Sequence, residues 1–183
     1  NRCRRQRQMC IRDRSKDLTF SPRLFFDDKY LFQTEYRQAG KNSDFIIDHG
    51  LNNSGDSFNS HLFANLTGDY KSANIELNLE TVSNRKYLKK YDVNSALIND
   101  ITTLNSFVSY ETYSNDTFFY SSFETFEDLT KEDSDSFEYI HPNYVLSKNL
   151  ETEKNGNLTL SSSGFQKKYD TNKYDGLIVN DLI

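Results

Sequence analysis

The chain has 183 residues, of which 36% are hydrophobic and 14% aromatic. Its mean hydropathy is -0.78, and no stretch approaches the roughly 18 consecutive apolar residues that a transmembrane helix needs, so the composition excludes a helical membrane protein. The net charge is -5, but the first 16 residues carry seven Lys/Arg and one Asp, which leaves -11 on the rest. Such an acidic body argues against nucleic-acid binding, which requires a basic face.

Residues 1–14 differ from everything that follows them. They are basic, contain both cysteines (Cys3 and Cys10) and show no apolar period. The segment Met-Cys-Ile-Arg-Asp at 9–13 back-translates to ATG TGT ATA AGA GAC, which resembles the end of a transposon adapter used to prepare sequencing libraries. We therefore interpret residues 1–14 as an adapter-derived artefact, expect them to be disordered, and set them aside. The alternative is a genuine basic arm that binds phosphate or acidic lipid.

From residue 17 onward, apolar residues recur at every second position, which is the period that separates the two faces of a β-sheet. The segment 73–81 is the clearest, because an apolar residue at each odd position alternates with Asn74, Glu76, Asn78 and Glu80. Strands are predicted near 18–26, 30–37, 45–51, 62–70, 73–81, 104–113, 118–127, 137–146, 157–166 and 174–183. The sequence thus predicts an all-β fold, an antiparallel meander of about ten amphipathic strands.

The connections between these strands are predicted to alternate in length. Short turns are expected at 27–29, 71–72 and 114–116, and longer polar loops at 38–42, 52–60, 82–100 and 128–135. Such alternation is typical of outer-membrane barrels, whose short turns lie on the periplasmic side. Five tyrosines fall near predicted strand ends, where a barrel carries its interfacial girdle. They are Tyr30, Tyr36, Tyr70, Tyr110 and Tyr113.

Three motifs stand in order along this pattern. The first is DLTFSP at 17–22, followed after a turn by TEYR at 34–37; the second is TVSNRKYLKKYD at 81–92; the third is YIHPNY at 139–144. In this order, and between strands of matching number, they resemble the LptD family of lipopolysaccharide-assembly proteins. The likeness covers most of residues 17–183.

The resemblance implies that residues 15–183 are a partial outer-membrane β-barrel domain, an open internal fragment of a large transmembrane β-barrel. The family is part of the translocon that inserts lipopolysaccharide into the outer leaflet of the Gram-negative cell outer membrane. It is not an enzyme, and no cofactor is implied. The implied partners are lipopolysaccharide, the plug lipoprotein LptE, and the periplasmic Lpt bridge, which would bind through a domain absent here.

The resemblance also assigns roles to particular residues. The polar face of the strands would line a wet lumen, with Arg23, Glu35, Arg37, Asn74, Glu76, Asn78 and Glu80 as the lumen-lining candidates. Pro22 is the candidate close to the lateral gate, because a proline within a strand cannot donate to the ladder and weakens the pairing beside it. The alternative for Pro22 is an edge or bulge proline without a gating role. The gate strand itself is replaced here by the adapter-like segment.

The sequence argues against several other functions. A protease would need an Asp/His couple facing the same water, but the consecutive Asp48 and His49 point to opposite faces. His61 and His141 are isolated, and each is expected to be a polar or interfacial side chain rather than a metal ligand. We therefore predict no catalytic, cofactor-binding or metal-binding residue. The main alternative is another outer-membrane β-barrel, a porin-like pore or receptor, and a soluble binding sandwich is the remaining class.

The ends of the sheet carry one further expectation. The last predicted strand lacks the terminal aromatic residue that finished outer-membrane barrels usually carry. We therefore expect an open sheet whose edge strands, 18–26 and 174–183, await partners, and we expect the chain to aggregate when it is expressed alone.

Overall fold

Consecutive strands pair with each other in a single open antiparallel meander, in chain order from β1 to β11. The computed structural model describes residues 9–12, 15–25, 29–55, 57–98, 100–131, 136–152, 156–169 and 173–182. Within them the strands are β1 (Met9–Arg12), β2 (Lys16–Leu24), β3 (Tyr30–Ala39), β4 (Ser43–Asn53), β5 (Phe58–Tyr70), β6 (Ala73–Val82), β7 (Thr103–Ser114), β8 (Thr117–Asp128), β9 (Phe137–Thr152), β10 (Gly156–Tyr169) and β11 (Tyr174–Leu182). One short helix, α1 (Tyr87–Tyr91), lies between β6 and β7. The predicted all-β meander of ten strands, β2 to β11, is confirmed.

The two faces of this sheet differ in chemistry. Pairing in β5–β6 and β6–β7 places Leu66, Leu77 and Val108 side by side, and Asn65 and Asn78 on the opposite side. We call the first side the apolar face and the second the polar face. Of the 18 exposed large hydrophobic side chains in the described part of the chain, 14 lie on the apolar face. The amphipathic alternation read from the sequence therefore extends across the whole sheet.

The connections fall into two sets, one at each end of the sheet. At one end, the pairs β3–β4, β5–β6 and β7–β8 are joined by only two or three residues. At the other end, which we call the long-connection end, residues 83–102 join β6 to β7 and residues 129–136 join β8 to β9. The predicted alternation was wrong for the first two connections. The end of β2 and the start of β3 lie at the long-connection end, and Gly40 to Asn42 form a short turn because Gln38 and Ala39 continue β3.

Part of the segment expected to be disordered is a strand in the structure. Main-chain pairing joins Met9 to Phe20 and Arg12 to Asp17, so β1 lies along the outer edge of β2. Residues 1–8 and 13–14 lie outside the described residues. The unpaired N–H and C=O groups of an edge strand bind another backbone whatever its side chains are, and this accounts for the difference. The adapter origin of the segment stays a prediction.

A small hydrophobic core lies on the polar face, contrary to the simple alternation. Leu31 of β3 and Phe63 of β5 are fully buried there, and Tyr87 and Leu88 of α1 cover them. Val93, Leu104 and Leu129 complete the cluster. The connection 83–102 therefore folds back over strands β3 to β5 instead of extending from the end of the sheet.

No helix in the described part of the chain is long and apolar enough to cross a membrane. The helix α1 has five residues, and its C-cap, Asp92, has a left-handed backbone conformation with a φ of 48°.

Replacing Leu88 by Ala tests whether the connection is truly packed on the sheet. Leu88 is 1% exposed, so its truncation leaves a cavity and should lower the free energy of unfolding by about 2–5 kcal/mol. Urea unfolding of the chain in nonionic-detergent micelles, followed by circular dichroism, measures the loss. The matched control is Leu77→Ala on the apolar face, where Leu77 is 36% exposed, and the expected loss is about 1 kcal/mol or less. Equal losses in the two variants would contradict the packing of α1.

Candidate functional site

All seven lumen-lining candidates project from the polar face, as their strand register requires. The structure divides that face into two regions. Over β2 to β5, the connection 83–102 covers part of the face, and over β6 to β8 a polar depression remains open. The seven candidates therefore do not form one site, and their partners differ.

Arg23 belongs to the covered region. Its Nη1 donates to the carbonyl oxygens of Tyr91 and Asp92, each at 3.0 Å, and its Nη2 donates to Oε1 of Gln33 at 3.3 Å. The two carbonyls belong to the last residue of α1 and to its C-cap, and a cation is favourable at the C-terminal end of a helix. Arg23 therefore holds the end of α1 against the sheet and does not point into open space.

Glu35 and Arg37 lie two residues apart on β3, on the same face. Nε of Arg37 donates to Oε1 of Glu35 at 2.6 Å. The Arg37 side chain is 47% exposed, so the pair contributes little to stability. The pair of opposite charges leaves this part of the polar face close to neutral.

Asn78 and Glu80 hold the place where β6 and β7 separate. The ladder between these strands ends at the pair Asn78 and Phe107. Beyond it, Nδ2 of Asn78 donates to the carbonyl of Asn105 at 2.8 Å, and Oε2 of Glu80 accepts from the Asn105 N–H at 2.8 Å. The hydroxyl of Ser106 accepts from the Glu80 N–H at 2.9 Å. These side chains replace main-chain pairing at the point where the chain leaves the sheet to form the connection.

Asn74 and Glu76 line the open depression on the polar face. Its volume is about 270 Å³. Glu76 shares the depression with Glu111 of β7 and Glu124 of β8, so three carboxylates surround it. This region is acidic and polar, as expected for a face that meets water.

A buried polar cluster that sequence reasoning missed lies under the connection. Asp48 of β4 and His61 of β5 are 0% and 1% exposed. Oδ1 of Asp48 lies 3.4 Å from Nε2 of His61, and Oδ2 of Asp48 accepts from Nε2 of Gln33 at 2.9 Å. Nδ1 of His61 lies 3.1 Å from the hydroxyl of Tyr87. Gln33 also donates to the carbonyl of Asn94 at 2.8 Å. The cluster therefore joins the three strands β3, β4 and β5 to the connection, through Tyr87 of α1 and Asn94 after it.

The hydrogen-bonding pattern of the cluster is satisfied by a neutral imidazole. With its proton on Nε2, the His61 ring donates to Asp48 and accepts from the Tyr87 hydroxyl. Burial raises the pKa of that hydroxyl well above its ordinary value, so Tyr87 stays protonated as the donor. His61 also stacks on Phe63, with ring centroids 4.6 Å apart. The arrangement fixes the connection in place, and its members are too buried to meet a substrate.

His61 was expected to be an isolated polar or interfacial side chain, but the structure buries it against Asp48 and Tyr87. One signal in the sequence pointed to it. Gly50 pairs with His61 across β4 and β5, and a Cβ at Gly50 would lie 2.6 Å from Nδ1 of the ring. A glycine inside a strand often marks such a close approach.

The remaining predicted residues lie elsewhere. Asp48 and His49 point to opposite faces, as predicted, because Asp48 pairs with Glu35 and His49 with Thr34. His141 lies against Phe123 and Tyr139, with ring centroids 5.8 and 5.7 Å away. Pro22 lies in β2 opposite Phe32, beyond the segment that pairs with β1. Its role at a gate stays a prediction.

Within the described residues, no group of three or more His, Cys, Asp or Glu side chains is placed to hold a metal ion. No protein-family model matches the chain, and no curated protein matches it.

Replacing Tyr87 by Phe tests the buried cluster. The variant leaves Nδ1 of His61 without a donor in a buried site, which should cost about 1–3 kcal/mol. We expect faster trypsin cleavage after Lys86, Lys89 and Lys90, because the connection detaches more often. Tyr113→Phe is the control, since Tyr113 is 60% exposed. Unchanged cleavage in Tyr87→Phe would show that the cluster does not hold the connection.

The same variant has a pH signature. The pKa of Tyr87 is raised by burial, whereas a tyrosine in the unfolded chain ionises near pH 10. Stability is therefore independent of this group below about pH 10 and falls as the pH rises above it, because only the unfolded state loses the proton. The free energy of unfolding, measured with urea between pH 8 and pH 11, should therefore fall less steeply with pH in Tyr87→Phe than in the unsubstituted chain.

Proposed function

We propose that the chain is part of an outer-membrane β-barrel of the translocon that inserts lipopolysaccharide into the outer leaflet. The observation that carries the membrane assignment is the apolar face. It extends across the meander from β2 to β11, and in the described part of the chain no second layer covers it. An exposed apolar surface of this width needs a partner, and a lipid bilayer supplies one.

The strand lengths support the same proposal. The strands from β2 to β11 have between 9 and 16 residues. A tilted strand of about 9–11 residues crosses the hydrocarbon core of a bilayer, so each strand is long enough to span. Tyr36, Tyr70 and Tyr110 lie on the apolar face in the half of their strands nearer the short turns, where an interfacial girdle would be expected.

The orientation follows from the connections. Short turns of outer-membrane barrels lie on the periplasmic side, so the long-connection end would face outward. The connection 83–102 would then fold into the barrel from outside and narrow its lumen. The exposed strand β11, paired on one side with β10, would meet a further strand of the closed barrel.

The assignment to lipopolysaccharide rests on the three motifs that resemble the LptD family. In the structure, the first lies on β2, the second runs from the end of β6 through α1, and the third lies within β9. On this proposal, the partners are lipopolysaccharide, the plug lipoprotein LptE and the periplasmic Lpt bridge, and the chain catalyses no reaction.

One observation favours a second candidate, a cation-selective porin-like pore. Glu76, Glu111 and Glu124 make the open part of the polar face acidic. Rings of carboxylates select cations in channels, whereas the phosphates of lipopolysaccharide would be repelled from such a surface unless cations bridge them.

Labelling of two neighbouring residues tests the membrane assignment. Val108 and Ser109 are consecutive on β7, so they share one depth but project from opposite faces. We would replace Cys3 and Cys10 by Ser, introduce Val108→Cys or Ser109→Cys, and attach a fluorophore to the chain reconstituted in phosphatidylcholine vesicles. Brominated lipid should quench the label at 108 strongly and the label at 109 weakly. Equal quenching would overturn the barrel proposal.

Photo-crosslinking separates the two candidate functions. A photoreactive residue at Glu76 on the polar face, or at Leu77 on the apolar face, would be introduced into the chain expressed in a Gram-negative cell. If the polar face conducts lipopolysaccharide, crosslinks to it should form at position 76. The absence of lipopolysaccharide adducts at 76, in cells where position 77 gives adducts with membrane lipid, would contradict transport and favour the pore.

A further inference from the structure

An open cavity lies at the long-connection end, away from the acidic depression. Its volume is about 940 Å³. The ends of β6 and β8 and the start of the connection 83–102 form its walls. We call it the basic groove, because Arg85, Lys86, Lys89 and Lys90 line it. A volume of this size accommodates a drug-sized molecule.

The floor of the basic groove is apolar. Val82, Ile101 and Leu129 line it, and Ile101 is 45% exposed. The groove thus combines a hydrophobic floor with a cationic rim. This combination fits a molecule that carries an anionic headgroup on an apolar body.

The wall of the groove is held by hydrogen bonds. The Arg85 guanidinium donates to the carbonyl of Lys131 and to the hydroxyl of Ser136 at 3.1 Å. These contacts join the connection after β6 to the connection after β8. Arg85 therefore stabilises the wall of the groove, and Glu127, which also lines the groove, partly offsets its charge.

Lys89 and Lys90 place exposed positive charge on the rim. Lys89 and Lys90 occupy the last turn of α1, and both are exposed. Four cations within six residues are exceptional in a chain whose residues 17–183 carry -11. Lysine binds phosphate as a point charge. The groove therefore attracts an anion, whereas the acidic remainder of the chain repels one.

We propose that the basic groove binds the headgroup of a phosphorylated amphiphile, with its phosphate between Lys89 and Lys90 and its apolar part on Val82, Ile101 and Leu129. This site is separate from the acidic depression and does not depend on what the sheet transports. It requires only that the connection be folded as the structure shows.

The test is isothermal titration calorimetry of the whole chain in nonionic-detergent micelles. The probe is dihexanoyl phosphatidic acid, and the comparison ligands are dihexanoyl phosphatidylcholine, hexanoate and inorganic phosphate. We expect binding of the phosphatidic acid, with Lys89→Gln/Lys90→Gln weakening it about tenfold or more, which corresponds to about 1.4 kcal/mol. The neutral glutamines keep helix propensity, so α1 should persist.

The matched control is Lys41→Gln/Lys148→Gln. It removes the same charge at the other end of the sheet, where Lys41 lies in the turn before β4 and Lys148 pairs with Thr117 at the start of β8. Binding should be unchanged in this variant. Equal weakening in both double variants would show a nonspecific charge effect and would overturn the site.

A variant of the floor tests the apolar half of the proposal. Ile101→Ser should weaken phosphatidic acid several-fold and leave any binding of inorganic phosphate unchanged. If inorganic phosphate or hexanoate binds as tightly as dihexanoyl phosphatidic acid, the groove does not recognise a phosphorylated amphiphile. Failure of this test leaves the barrel proposal standing, because the labelling at Val108 and Ser109 is independent of it.

Discussion

The register of the sheet is the constraint on which the rest of the structure depends. Side chains alternate between faces with a period of two, so a slip of one residue would move every apolar side chain of a strand to the other face. Each pairing from β2 to β11 keeps the apolar residues together. Two pairings contain a register shift, at Ser122/Glu124 and at Phe165/Lys167, and the alternation resumes beyond each. Pro142 lies in β9 beside the first shift, where the missing N–H of a proline is tolerated.

The position of the connection 83–102 depends on a second sequence pattern, in which apolar residues interrupt the polar face of the sheet. Leu31 and Phe63 occupy positions that belong to the polar face, and they give the connection an apolar surface to cover. Asp48 and His61 are buried beside them, and a buried polar group is costly unless its hydrogen bonds are made. Gln33 and Tyr87 supply those bonds. The apolar contacts therefore provide the buried surface area, and the polar cluster specifies which part of the connection packs on strands β3 to β5.

Much of the sheet could be predicted from the sequence, because a period-two alternation is a local signal. Segment 73–81 shows this, since its faces follow from the alternation of nine consecutive residues. The covered site could not be predicted in the same way. Asp48 and His61 are 13 residues apart, and Tyr87 is 26 beyond His61, so nothing local joins them. Leu31 and Phe63 are apolar residues at positions of the polar face, and Gly50 indicates that a neighbouring side chain approaches closely. These signals can be interpreted only once the strand register is known.

The distribution of charge links the groove to the polar face. Lys86, Lys89 and Lys90 concentrate positive charge at the long-connection end, whereas Glu76, Glu111 and Glu124 make the open depression negative. An anionic headgroup would be attracted to the first region and repelled by the second, since interactions between charges persist over about 8–10 Å at physiological ionic strength. A phosphorylated molecule would therefore be held at the end of the sheet rather than along its face. On the barrel proposal, this places anion binding on the outer side, whereas phosphates would pass the acidic depression only where cations bridge them to its carboxylates.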